Sequence, residues 1–168
     1  MTEIPKISLE HSGLKNADSQ IVSESYKQLI EQAIQQGLNL TKLDEIIICE
    51  DFQSRIFSFQ DNVGLPQEIT SEPEYLAAGK VIWYPRPEGD MRAKIFINAG
   101  LVPQLYESEP PTINVPAIQL LVHELGHVHD DTYITEQFGS IGSHILGNPE
   151  LISLCLSRCI WGEYHAEF

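Results

Sequence analysis

Apolar positions recur with two different periods along this chain. Between Ser23 and Gln36, Tyr26, Leu29, Ile30 and Ala33 fall at helical spacing, and Gly37 follows where a helix can stop. "KLDEIIICE" is a β-branched run and predicts a strand with a buried centre. "AAGKVIWYP" and "RAKIFINAG" predict two more strands. The "RPEGDM" between them holds Pro, Gly and Asp, which suit a turn and hence an antiparallel hairpin. Residues 51–75, with Gly64-Leu65-Pro66 and Glu72-Pro73, read as loop with at most a short turn of helix. After "VPQLYESEPPTI" a second helix is expected. Asn114 can cap it, Pro116 sits in its first turn, and Ile118, Leu121, Val122, Leu125 and Val128 form its apolar stripe. "TEQFGSIGSHILG" reads as loop, and Asn148-Pro149-Glu150 opens a last helix. Residues 1–18 lack periodicity and read as a flexible N-terminal arm. The expectation is one α+β domain over 19–168, with a small antiparallel or mixed sheet.

Composition narrows the function. A chain of 168 residues is long enough to bury a core, and 42% of it is hydrophobic. The formal charge of −14 argues against nucleic acid, because phosphate binding draws its affinity from Lys and Arg. "MTEIPKISLEHSG" has no apolar core of a signal peptide. "LISLCLSRCIW" is too short to span a bilayer and carries Arg158, so no membrane partner is expected. Three cysteines cannot all pair in one chain. Cys155 and Cys159, four apart on the last helix, read as apolar-face thiols in a cytoplasmic setting.

The chemistry concentrates in "LLVHELGHVHDD", Leu120 to Asp131. Residues i and i+4 of a helix differ by only about 40° of rotation, so His123 and His127 project side by side. Zinc takes such a nitrogen pair, and a catalytic site adds one more protein ligand and leaves a position for water. Glu124, beside the first histidine, flanks the metal and can act as general base. The bland alternative is three polar residues hydrogen-bonded on an ordinary helix. Gly126 has no helix merit of its own, and a close backbone approach is one explanation. Asp130 shares the histidines' face and can orient a ligand imidazole, or it is a helix-end acid. His129 points away from that face.

"VHELGH" on a helix after a hairpin resembles the zincin metallopeptidases, and among them the gluzincin-like bacterial cytosolic group with HELGH. The resemblance spans about residues 76–168 and is sharp only at 123–127. It implies a zincin-like fold with a C-terminal ligand helix and one Zn²⁺ per chain held by His123 and His127. It implies a peptide or protein substrate, hydrolysed by a zinc-bound water with Glu124 as base. A downstream glutamate would be the third ligand. The chain departs from the metzincin pattern, since Tyr133 occupies the slot of a third histidine. "WGEYHAEF" carries Glu163-x-x-Ala166, similar to the group's third-ligand helix, but the Asn and Phe-Ala that usually follow are missing. Substrate identity therefore does not transfer.

Glu163 also fits the ligand role by its position. Ile152, Leu156, Cys159 and Ile160 make the last helix's apolar stripe, and Glu163 continues it. A carboxylate on a buried side needs a partner, and a zinc on the neighbouring helix is one. The alternative is a helix that ends early and leaves Glu163 solvated. Glu167, one turn on, is placed to fix the tautomer of a ligand histidine. Tyr133, His144, Tyr164 and His165 are candidates to donate to an oxyanion, none favoured by spacing. Zincins pair an extended substrate with a strand beside the site, and the sequence leaves open whether "AKIFINAG" is that edge strand. Two rivals stand beside the enzyme: a non-catalytic zincin-like regulatory or protein-binding domain, and a peptide deformylase. The second needs a cysteine ligand in a Gly-Cys-Leu setting, whereas Cys49 sits in "IICED".

Overall fold

The computed structural model describes residues 4–10, 16–67, 78–101 and 115–138. The chain is mixed α+β. β1 (Lys6–Glu10), β2 (Leu43–Cys49), β3 (Gly79–Pro85) and β4 (Met91–Asn98) form one sheet in the order β1-β2-β4-β3. β1, β2 and β4 run parallel, and β3 pairs antiparallel with β4. The described helices are α1 (Asn16–Gln35), α2 (Phe52–Asn62) and α3 (Val115–Phe138), with a 3-10 turn at Ala99–Leu101.

The hairpin forms as its turn residues predict: Arg86 N–H donates to the Asp90 carbonyl at 2.8 Å. α1 stops where expected, with the Leu38 N–H reaching back to Ala33 across Gly37 at φ +102°, a conformation glycine adopts without strain. α3 begins at Val115 with Pro116 in its first turn, and it continues to Phe138, beyond the expected start of loop.

Two expectations fail. Residues 6–10 belong to a parallel strand and residues 16–18 to α1, which starts at Asn16 and not near Ser23, so neither stretch is a flexible arm. A five-residue edge strand next to the isoleucine-rich β2 takes its stability from the neighbour's ladder, so it shows little periodicity of its own. Residues 52–62 form a full helix and not loop. Phe52, Ile56 and Phe59 are its buried face, a stripe of only three residues flanked by the Gly and Pro of 64–66.

The sheet has apolar side chains on both faces. On one, Ile46, Ile48, Ile95 and Ile97 pack with Val22, Tyr26 and Ile30 of α1 and Leu121, Leu125 and Val128 of α3. On the other, Ile47, Ile82 and Phe96 pack with Phe52, Ile56 and Phe59 of α2. Val122, expected in the α3 stripe, is half exposed, because it stands about 100° round the helix from Leu121.

Candidate metal centre

α3 is positioned by its apolar stripe and by a second anchor. The Asn39 backbone N–H donates to His129 Nδ1 at 2.8 Å, and the Asn39 side-chain amide donates to Glu136 at 3.1 Å. The α1–β2 connection thus pins the second half of α3. His129 is a structural acceptor with its proton on Nε2. Its orientation away from the other two histidines agrees with its spacing.

His123 and His127 stand about 200–240° round the helix from Leu121, turned from the packed stripe. Their Nε2 atoms are 3.0 Å apart, and the ring planes are nearly perpendicular at 87°. Two ligands on a tetrahedral zinc, each at about 2.0–2.1 Å, lie about 3.3 Å apart. The observed separation is within a few tenths of an ångström of that edge, so the pair fits a shared ion. The same pair also fits a direct hydrogen bond in which one ring donates to the other.

Glu124 lies on the shoulder between the histidines and the sheet-facing stripe. It is only 6% exposed, among the most buried charged residues described. It packs against the start of β3. A Cβ on Gly79 would fall 2.6 Å from Glu124 Oε1 and 3.0 Å from its Cδ and Cγ. The glycine is what admits the carboxylate. Sequence reasoning weighed a close approach at Gly126 and passed over Gly79. The available signal was a glycine in a strand run, which often marks close packing.

β4 lies between β2 and β3, so "AKIFINAG" is an interior strand. β3 is an edge strand of the described sheet, and its first residue touches the acid of the HELGH motif. Asp130 is half buried on the imidazoles' side of α3, and Tyr133 is 56% exposed. Cys49 is buried on the α2 face of the sheet, away from α3, and burial pushes its thiol up to about 11. A thiol on the opposite face of the sheet from α3 does not complete a ligand set with the histidines, which removes the deformylase pattern. Glu163, Tyr164, His165, Glu167, His144, Cys155 and Cys159 lie outside the described residues. Among the described residues no third His, Cys, Asp or Glu joins the pair. No described helix is long and apolar enough to cross a membrane.

Compared with known protein families, with curated proteins and with solved structures, the chain shows no significant match, so the reading of this site rests on its own residues.

Proposed function

We propose that the chain is a zincin-like metallopeptidase whose His123 and His127 hold one zinc ion, with Glu163 as third ligand and Glu124 as general base. The observation that carries this reading is the convergence of the two Nε2 atoms, 3.0 Å apart, beside a buried carboxylate.

Zinc, when bound, supplies Lewis acidity towards water and towards a peptide carbonyl. The chain's own residues do the rest. His123 and His127 must be neutral to present their Nε2 lone pairs. Glu124 takes a proton from the attacking water at a carboxylate oxygen and returns it to the leaving amine. Packing against Gly79 restricts that carboxylate to few rotamers, so little orientation is left to gain in the transition state. Among the described strands β3 lies at an edge beside Glu124, and an extended peptide that added there as a strand would carry its carbonyls past the site.

The test is metal content together with turnover. Protein purified without a polyhistidine tag should hold one zinc per chain and cleave a fluorogenic peptide library, and a chelator should remove both. A chain that takes up no zinc overturns the reading. A chain that binds zinc and cleaves nothing is a regulatory or protein-binding domain.

A further inference from the structure

The α2 face of the sheet is apolar only at one end. At the other end, among the described residues, no helix covers it, and a cavity of about 710 Å³ opens there. Lys6, Arg86, Arg92 and Lys94 line it, together with Asp44 and Glu45. The chain has ten Lys and Arg against twenty-four Asp and Glu. Four of those ten cations line this one cavity, with only two of the acids, so it is locally cationic on an acidic protein.

The arrangement is built by the backbone. Leu43 pairs with Ala93 and Glu45 with Lys94, so β2 carries one extra residue at Asp44. Such a bulge re-aims side chains. Leu43 stays in the core, while the adjacent Asp44 and Glu45 both turn to the open face. Asp44 accepts from Tyr84 Oη at 2.5 Å and from Arg86 and Arg92 at 2.7 Å each. Glu45 accepts from Ser8 and Lys94 at 2.5 Å and from Lys6 at 2.8 Å. Burial works against both carboxylates, but these donors outweigh it and hold both well below the usual carboxylate range. Each acid orients two cations, Asp90 lies 3.9 Å from Arg92, and among the described residues lining the cavity the cations outnumber the acids four to two.

The donors are not exhausted. A guanidinium has five N–H groups and an ammonium three. Arg86, 44% exposed, has more than Asp44 and Tyr84 can absorb, and Lys6 reaches solvent with a 73% exposed side chain. A charge ladder that only solubilised a bare sheet face would balance its own charges. Here the cations border an opening large enough for a small molecule.

We propose that this cavity binds a small organic molecule carrying a doubly charged oxyanion, a phosphate monoester or a dicarboxylate. The guanidinium of the exposed Arg86 can meet the oxygens of either group in bidentate fashion, while Arg92, held by Asp44 and the Thr41 carbonyl, adds charge behind it. Lys6 and Lys94 add point charges. The site is on the opposite face of the sheet from His123 and His127, so it is independent of the metal centre.

The test is titration of the full chain with inorganic phosphate, glycerol 3-phosphate and succinate at matched ionic strength. It is followed by side-chain NMR of the Arg and Lys nitrogens and by calorimetry. At least one probe should saturate and move the Arg86, Arg92 and Lys94 signals. The double substitution Arg86→Gln with Lys6→Gln, both at exposed side chains, should weaken that binding tenfold or more while the protein still unfolds in one cooperative transition above the assay temperature. Saturation by the phosphates alone assigns a phosphate ester, and by succinate alone a dicarboxylate. No saturable response to any probe, or equal binding by the double variant, overturns the proposal.

Discussion

The Glu124 carboxylate rests on the backbone of Gly79, where a methyl group would stand 2.6 Å from its Oε1. This ties the motif acid to the edge strand. The contact makes a sharp prediction. Gly79→Ala should displace Glu124 and leave His123 and His127 where they are. Zinc affinity should stay within about twofold, and peptide turnover should fall on the order of 10²-fold, as for a lost general base. The stability cost should be about 1 kcal/mol, the low end for overpacking, because the displaced atoms are the end of a flexible side chain. Metal analysis and turnover, measured together, check it.

Binding and catalysis should also separate at the motif itself. Glu124→Gln keeps size and hydrogen-bonding capacity but cannot take the proton. It should retain zinc and lose on the order of 10²-fold in turnover. His123→Ala should lose both. Equal cleavage by Glu124→Gln and the parent would remove the assigned role.

The proposed zinc needs a third protein ligand, and none of the described residues supplies one beside the histidines. Glu163→Ala should therefore weaken zinc binding sharply, and Glu167→Ala less. Competition with a chromogenic chelator measures both. If zinc binding follows Glu167 or Asp130 instead, the ligand moves to that residue.

Acid should weaken the fold through the bulge carboxylates. Burial raises the affinity of Glu45 for a proton, but hydrogen bonds from Lys6, Lys94 and Ser8 win and hold it down at about 2, from an ordinary value of 4.5. The unfolded chain then binds more protons than the folded one between those values, so stability rises with pH there. The contribution is complete above about pH 4.5 and is lost as pH falls through about 2. Glu45→Gln should cost on the order of 1–3 kcal/mol at pH 7. The gap to the parent should narrow by pH 3 in denaturant titrations.

Thr132 is fully buried on the sheet-facing side of α3, and among the described residues its hydroxyl has no hydrogen-bond partner. Thr132→Val keeps the shape and removes a desolvated polar group. It should stabilise by about 1 kcal/mol, read as a higher thermal midpoint.

Elements whose burial is repeated along the chain were legible in the sequence. α1, β2, the hairpin and α3 each show their period, because one face or a whole strand is packed against the core. The i, i+4 placement of His123 and His127 follows from helix geometry alone, and so does the separation of His129 from them. β1 and α2 were not legible. β1 is held by a ladder to β2, and α2 by three aromatic and aliphatic residues that meet Ile47, Ile82 and Phe96 only after the sheet forms. Strand order was also beyond local pattern. That β3 and not β4 lies at an edge of the described sheet depends on pairing between strands more than forty residues apart in sequence, Leu43 with Ala93 for example. The same holds for the contact of Glu124 with Gly79 and for the bulge that turns Asp44 and Glu45 together onto one face. Periodicity records which side of an element is buried. Which element buries it, and which charges meet across the sheet, is decided by chain closure.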